Sequence, residues 1–171
     1  MTQSVTLLER LPQNVLTVRA RTRRQDLGSA FERGIDEVLA HLDRLERESW
    51  GPPCARHRPL GGGYVDLEVG LPVAQGVPGG GRVQADELPS GPVAVVWHQG
   101  ALARLRAAYA AVETWIERTG ARSRGAPWEI YWSDPSEEFD PLGWRTELVW
   151  PVLPGCRAIG DLTPTTGRRI G

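Results

Sequence analysis

The chain has 171 residues and a formal net charge of −1, because 20 basic side chains, all arginine, balance 21 acidic ones. Such a chain offers no basic excess to neutralise a nucleic-acid backbone, and no segment is long and apolar enough to span a membrane. The first residues also lack the basic start and apolar run of a signal peptide. We therefore expect a cytoplasmic globular protein without a direct nucleic-acid or membrane partner.

The first half of the chain predicts a β-α-β-β unit. A strand over Asn14–Arg21 is followed by a helix over Asp26–Glu48, where apolar residues recur at helical spacing and Asp26 can cap the first turn. Two extended segments, Gly51–Pro59 and Tyr64–Val73, come next and are joined by the turn "LGGG". A glycine-rich stretch then ends this unit.

The second half predicts the same order of elements. We interpret Ala74–Arg82 as a linker, after which a strand is expected over Gly91–Gly100 and a helix over Ala101–Gly120, whose final glycine is a plausible C-cap. Extended segments follow at Gly125–Pro135 and Trp144–Val152. The chain therefore reads as two β-α-β-β units offset by about 75 to 80 residues.

The two units also match in detail. "GPPCARH" matches "GAPWEIY", which places His57 opposite Tyr131, and "EVGLPV" matches "ELVWPV", which places Glu68 opposite Glu147. Two such units can join edge to edge into one antiparallel sheet that carries both helices. The predicted fold class is α+β, a tandem β-α-β-β repeat with pseudo-twofold symmetry, one antiparallel sheet and two main helices.

The predicted domain organisation is simple. One ligand-binding domain covers residues 1–154, with the first repeat at about 5–73 and the second at about 91–153. The polar, glycine-rich residues 155–171 are expected to form a flexible tail. No helix-turn-helix is expected, because too few residues precede the first predicted strand.

Each of two apolar strands contains a glutamate. In "WRTELVWPV", strand alternation places Glu147 on one face with Arg145 and Val149. An ionised carboxylate avoids such surroundings unless it is paired, so Glu147 is a candidate for holding a cationic ligand or acting as a general base. The alternative is a partly exposed glutamate paired with Arg145 or another arginine. The same two interpretations apply to Glu68, whose neighbour Asp66 suggests a wetter position.

Aromatic residues are the second candidate feature. The chain has seven tryptophans against three tyrosines and two phenylalanines, and most fall on predicted strands or their edges. Aromatic rings around a carboxylate suit flat, delocalised cations, while core packing is the alternative for any single ring. The predicted ligand-binding residues are Glu147, Tyr131, Trp97, Trp128, Trp132, Trp144, Glu68 and His57.

Neither cysteines nor histidines indicate a metal or a cofactor. Cys54 and Cys156 are too few and too far apart for a disulfide scaffold, so two reduced thiols are expected. The three histidines, His41, His57 and His98, lack the spacing of metal ligands. The sequence therefore predicts no metal and no cofactor.

Four motifs, "GPPCARH", "VDLEVGLPV", "WEIYWSDP" and above all "WRTELVWPV", resemble the GyrI-like (gyrase-inhibitor-like) small-molecule-binding domain over about Val5 to Leu153. This family is related to the effector-binding domains of multidrug-responsive transcription regulators and to the SOUL haem-binding proteins. The resemblance implies a central cavity for hydrophobic, often cationic aromatic compounds, with the family's acid at Glu147 and aromatic lining at Tyr131 and Trp97. It implies no haem, since no histidine is placed as an axial ligand.

Three functions follow from these observations. The first is stand-alone, polyspecific binding of aromatic drug-like molecules such as antibiotics. The second, implied by the resemblance, is hydrolysis of cyclopropane-bearing electrophilic antibiotics, which would give self-protection, with Glu147 as base and Tyr131 as acid or water-orienting hydroxyl. The third is a protein-interaction role such as gyrase inhibition, which a large exposed apolar patch would favour.

Overall fold

The computed structural model describes residues 4–133 and 137–155. Within these ranges the chain forms nine strands and two α-helices, and a short 3₁₀ turn precedes each helix. The elements are β1 (Thr6–Arg10), β2 (Gln13–Arg23), α1 (Leu27–Arg44), β3 (Cys54–Gly61), β4 (Tyr64–Pro72), β5 (Gln84–Leu88), β6 (Gly91–Gln99), α2 (Arg106–Thr119), β7 (Arg122–Ser123), β8 (Trp128–Tyr131) and β9 (Arg145–Leu153).

Every pairing observed between the described strands is antiparallel. The α+β class predicted from the sequence, an antiparallel sheet with two main helices, is therefore confirmed. The pseudo-twofold symmetry stays a prediction. The chain divides into two compact units, which we call the α1 unit and the α2 unit after their helices.

The α1 unit comprises residues 12–88 and 128–132, with the strand order β8-β3-β4-β2-β5. Its helix lies on one face of these strands, because alternate residues of β2 and β4 are apolar and pack against the apolar stripe of α1. Gly34 permits the close approach, since a Cβ there would lie 2.3 Å from a methyl carbon of Val69. The core of this unit includes Leu16, Val18, Val38, Leu42, Leu67, Val69 and Leu71.

The α2 unit comprises residues 4–11, 89–127, 133 and 137–155 of the described chain. Its strands lie in the order β1-β6-β9, and β7 pairs with the end of β9. Helix α2 covers one face of them. The core of this unit includes Leu7, Ala94, Val96, Leu105, Ala108, Val112, Leu148 and Val152.

Two edge strands were not predicted from the sequence, and each pairs with a strand distant in the chain. Strand β1 precedes β2 in the chain but pairs with β6, the first predicted strand of the second repeat. Strand β5, which lies between the two predicted repeats, precedes β6 but pairs with β2. Each unit therefore contains an edge strand that does not pair with the strand next to it in the chain.

Helix boundaries differ from the predicted ones by a few residues. Helix α1 ends at Arg44, four residues before the predicted end, and α2 begins at Arg106 because Leu102–Arg104 forms a 3₁₀ turn. Gly120 adopts the left-handed C-cap conformation that was expected, with φ of 69°. Asp26 occupies the N-cap position of α1 but makes no capping hydrogen bond.

Two further expectations concern regions and properties that the structure addresses only in part. The predicted flexible tail, residues 155–171, lies outside the described residues apart from its first residue. In the part of the chain that is described, neither helix combines the length and the apolar character needed to cross a bilayer.

Candidate functional site

Glu147 lies on the face of β9 that points away from α2. Its neighbour Leu148 packs in the α2 core, so strand alternation directs Glu147 and Val149 to the opposite face. The glutamate is only 1% exposed. A carboxylate buried to this degree needs a compensating charge or hydrogen bonds.

Arg10, the last residue of β1, supplies that compensation. Its Nη2 atom donates a hydrogen bond to Oε1 of Glu147, and the two form an ion pair. The Arg10 side chain is 36% exposed, while its Nε atom is buried without a hydrogen-bond partner among the described residues. The alternative interpretation of the sequence therefore identified the kind of partner correctly, but Glu147 is buried rather than partly exposed.

Trp97 lies beside the same acid. It occupies the β6 position directly opposite Glu147 and is 47% exposed. The guanidinium of Arg145 stacks over its ring at 4.9 Å from the ring centroid. The structure thus brings together the predicted acid and one predicted aromatic residue, and it leaves a large part of that ring accessible.

Glu68 forms a different arrangement in the α1 unit. It is 8% exposed, and its Oε2 atom accepts hydrogen bonds from Nε and Nη2 of Arg19 at 3.0 and 2.8 Å. Arg56 lies 3.9 Å from its other oxygen and 3.8 Å from Asp86. The hydrogen bond with Glu68 raises the pKa of Arg19 above its usual value. Glu68 is therefore part of a closed network of charges.

A third polar cluster joins His57, Tyr131 and Glu129 in the α1 unit. The Tyr131 hydroxyl donates to Glu129, His57 Nε2 lies 3.3 Å from that hydroxyl, and the same nitrogen lies 3.4 Å from Glu129. The Tyr131 ring packs edge-on against Phe31 of α1, with 5.0 Å between centroids. His57 and Tyr131, matched positions of the two predicted repeats, are thus in contact.

Glu129 is the polar residue that sequence reasoning missed. It is buried, and β8 places it on the same strand face as Tyr131, two residues away. The alternation in "WEIY" could have identified it. Among the described residues, no group of three or more histidine, cysteine, aspartate or glutamate side chains is arranged to hold a metal ion.

The remaining predicted tryptophans occupy different environments. Trp128 on β8 is buried, whereas Trp132, just after β8, is half exposed. Trp144 precedes β9, and its Nε1 atom donates to the carbonyl oxygen of Glu138 at 2.8 Å. These three tryptophans therefore differ in burial and in their contacts.

The fold and the site define an α+β domain in which a buried, ion-paired acid lies beside an accessible indole. Residues 3–153 match the family model of the GyrI-like small molecule binding domain. The chain therefore belongs to the GyrI-like small-molecule-binding domain family. A search of curated proteins finds none that matches the chain.

Solved structures with related folds include those of EcmrR. The chain is similar to the C-terminal domain of EcmrR, with a TM-score of 0.75, 21% identity, and coverage of 90% of this chain and 99% of that domain. In the EcmrR–DNA complex the TM-score is 0.77 at 20% identity over 89% of this chain. The chain spans only 58% of the EcmrR chain in that complex.

Two further structures are similar in fold. SAV2435 bound to tetraphenylphosphonium has a TM-score of 0.61 at 13% identity, covering 88% of this chain and 94% of SAV2435. A hydrolase from Listeria innocua has a TM-score of 0.61 at 16% identity, covering 89% of this chain and 93% of the hydrolase. At these identities the likeness concerns the fold alone.

Proposed function

We propose that this member of the family binds hydrophobic, aromatic and often cationic small molecules, such as antibiotics, with Glu147 as the acid that selects positive charge. The observation that carries the proposal is a buried carboxylate that pairs with Arg10 and lies directly opposite a half-exposed indole. Polyspecificity follows if the indole contributes broad apolar contact and the acid contributes charge. A cytoplasmic location remains a prediction.

Arg10 acts in this proposal as a built-in cation that a ligand replaces. Its side chain is partly exposed, so the guanidinium can turn into water, where its charge is hydrated. A ligand cation then takes over the pairing with Glu147, while its aromatic groups contact Trp97. Each cation–π or stacking contact of this kind contributes about 0.5 to 2 kcal/mol when it is desolvated.

The other residues predicted to contact ligand stay predictions. Tyr131 and His57 are hydrogen-bonded within their own cluster, and Glu68 is held by Arg19. These contacts would have to reorganise before the three side chains could bind a ligand. The full set of residues whose contact with a ligand stays a prediction is Tyr131, His57, Glu68, Trp128, Trp132 and Trp144.

The test compares a cationic probe with a neutral one of similar shape. Tetraphenylphosphonium and triphenylphosphine oxide are titrated into the protein by calorimetry. We expect Glu147→Gln to weaken binding of the cationic probe about tenfold, or about 1.4 kcal/mol. Binding of the neutral probe should stay nearly unchanged, since only the cation interacts with the carboxylate charge. Glu32→Gln, which removes an exposed acid of α1, is the control and should affect neither probe.

Arg10→Met provides the opposite change at the same site. Removing the competing guanidinium should strengthen binding of the cationic probe and leave binding of the neutral probe unchanged. Equal losses for both probes in Glu147→Gln would contradict charge selection by this acid. Circular dichroism of each variant separates a loss of binding from a loss of fold.

Hydrolysis is the second candidate function, and the His57–Tyr131–Glu129 cluster is the observation that favours it. A hydroxyl held by an acid and an imidazole is the kind of group that can pass a proton during attack by water. The substrate class would be cyclopropane-bearing alkylating compounds, with Tyr131 as the acid or water-orienting hydroxyl. Mass spectrometry of the compound after incubation distinguishes the functions, because hydrolysis adds one water and binding leaves it intact. Tyr131→Phe must abolish any such gain.

A further inference from the structure

The face of the α1 unit that points away from α1 carries an unusual number of arginines. In its first row, the pairing register places Glu68 of β4 between Arg19 of β2 and Arg56 of β3. The acids Glu68 and Asp86 lie within 4 Å of these two arginines. Charges in this row are therefore balanced within the protein.

The next rows are not balanced. Asp66 of β4 lies between Arg21 of β2 and Arg58 of β3, and Tyr64 lies opposite Arg23. The guanidinium groups of Arg21 and Arg23 lie over the Tyr64 ring, 4.7 and 5.9 Å from its centroid. The ring therefore gathers two cations at the end of the strands.

A fourth arginine and an open depression complete this end of the face. The backbone N–H of Arg24 donates to the carbonyl oxygen of Gly63 at 2.9 Å, which holds the β3–β4 turn against the end of β2. Gly61, Gly62 and Gly63 all have positive φ values, so the turn is built from residues without side chains. The depression has a volume of about 570 Å³ and is lined by Arg23, Arg24, Gln25, Gly62, Gly63 and Tyr64.

The four arginines carry charge that the described chain does not neutralise. All are exposed, and no carboxylate of the described residues lies within 4.0 Å of their guanidinium groups. The whole chain has a net charge of −1, so this concentration of positive charge is local. We call the set Arg21, Arg23, Arg24 and Arg58 the arginine cluster.

We propose that the arginine cluster is a binding site for a small molecule bearing a phosphate or pyrophosphate group, separate from the Glu147 site. A guanidinium presents its donors in a planar fork that matches two phosphate oxygens, so Arg23 and Arg24, which both line the depression, suit a multivalent oxyanion, with Arg21 and Arg58 on the neighbouring strand positions. The bare glycine turn lets such a group approach the backbone closely. The depression also falls within the range of about 300 to 1,000 Å³ that is typical of small-ligand sites.

The test uses inorganic pyrophosphate and a nucleoside diphosphate as separate probes, with calorimetry on the full chain. Arg23→Gln/Arg24→Gln removes two cations of the cluster, and Arg33→Gln/Arg44→Gln removes two exposed cations of α1 as the matched control. We expect the cluster variant to bind pyrophosphate at least about tenfold more weakly and the control to bind it like the unaltered chain. Equal affinity for both probes would show that the protein recognises the phosphate groups alone. Tighter binding of the nucleoside diphosphate would show that it also recognises the nucleoside.

Three results would overturn the proposal. The first is no binding of either probe at millimolar concentration. The second is an equal loss in the cluster and control variants, which would indicate a general charge effect. The third is binding of a single-stranded oligonucleotide through the cluster while both small probes fail to bind. The cluster and control variants should all bind tetraphenylphosphonium like the unaltered chain. A failure of the phosphate-site proposal can therefore be distinguished from a failure of the function proposed for Glu147.

Discussion

Two buried glutamates occupy matched strands of the two predicted repeats, yet their neighbours differ. Glu68 in the α1 unit has arginines at the opposite positions on both adjoining strands, Arg19 on β2 and Arg56 on β3. Both arginines lie within 4 Å of its carboxylate, so they compensate its charge on the sheet face.

Glu147 in the α2 unit has an indole where Glu68 has an arginine. Trp97 takes the opposite position on β6, and the positive partner comes instead from Arg10 on the edge strand β1. The two acids therefore differ in their cross-strand residue, which is an arginine for Glu68 and a tryptophan for Glu147. In the function proposed above, this difference leaves Glu147 with a partner that a ligand cation replaces, whereas Glu68 stays within its network.

Removal of the arginine partner should separate the two acids most clearly. We expect Arg10→Met to lower the free energy of unfolding by about 3 kcal/mol, because Glu147 is then left buried without that partner. Arg19→Met should cost about 1 kcal/mol or less, since Arg19 is 60% exposed and Arg56 remains close to Glu68. Denaturant unfolding of both variants provides the measurement.

A double variant shows whether the large loss arises from the stranded charge. Arg10→Met combined with Glu147→Leu replaces the pair by apolar side chains, which should recover most of the loss. Similar losses for Arg10→Met and Arg19→Met would remove the difference between the two acids. Failure of the double variant to recover would assign the loss to packing of the Arg10 side chain instead.

The helices offer a second contrast between the units. Helix α2 meets its strands with Ala108 and Val112, both fully buried, whereas α1 has Gly34 at its closest approach to Val69. Gly34→Ala should destabilise by about 1 to 2 kcal/mol despite the better helix propensity of alanine, because the new methyl collides with Val69. Thermal or denaturant unfolding measures this loss.

Gly28 is the matched control in the same helix. A Cβ at this position meets nothing within 4 Å, so Gly28→Ala should stabilise by about 0.5 kcal/mol through the unfolded chain. Stabilisation by both substitutions would mean that α1 can move away from the sheet without loss. In that case the close approach would not distinguish the two units.

Much of the α+β architecture could be predicted because it depends on local patterns. The helical spacing and the alternating strands in "YVDLEVGLPV" and "WRTELVWPV" depend only on residues close in the chain. Strands β1 and β5 escaped prediction because each is five residues long and its pairing with a distant strand defines it. The pairing of these edge strands is a tertiary property without a local signal.

The site was predictable only where strand alternation sufficed. Glu147 was singled out because an acid interrupts an apolar strand. Alternation correctly placed it on the face of β9 that does not carry Leu148. Its partner Arg10 lies 137 residues away in the chain, so no sequence spacing could connect them. Glu129 was overlooked although the same alternation places it beside Tyr131 on β8.

A further prediction concerns Cys54, whose proton reports on the Glu68 side of the comparison. The pKa of this thiol is raised to about 12, chiefly by burial, while Arg56 lowers it and Glu68 raises it. The folded chain therefore holds the proton more tightly than the unfolded chain. Stability from this group is complete below the unfolded pKa and is lost as pH rises toward 12.

Unfolding at two pH values measures this linkage in a Cys156→Ser background. Between about pH 8 and about pH 10, the chain with Cys54 should lose about 2 kcal/mol more than a Cys54→Ala variant, because only the unfolded thiol ionises in that range. Glu68→Gln should lower the folded pKa of Cys54 and reduce the difference, whereas Glu147→Gln should leave it unchanged. An equal response to both substitutions would mean that the pKa of Cys54 depends on the net charge of the chain and not on Glu68, which lies on the neighbouring strand β4.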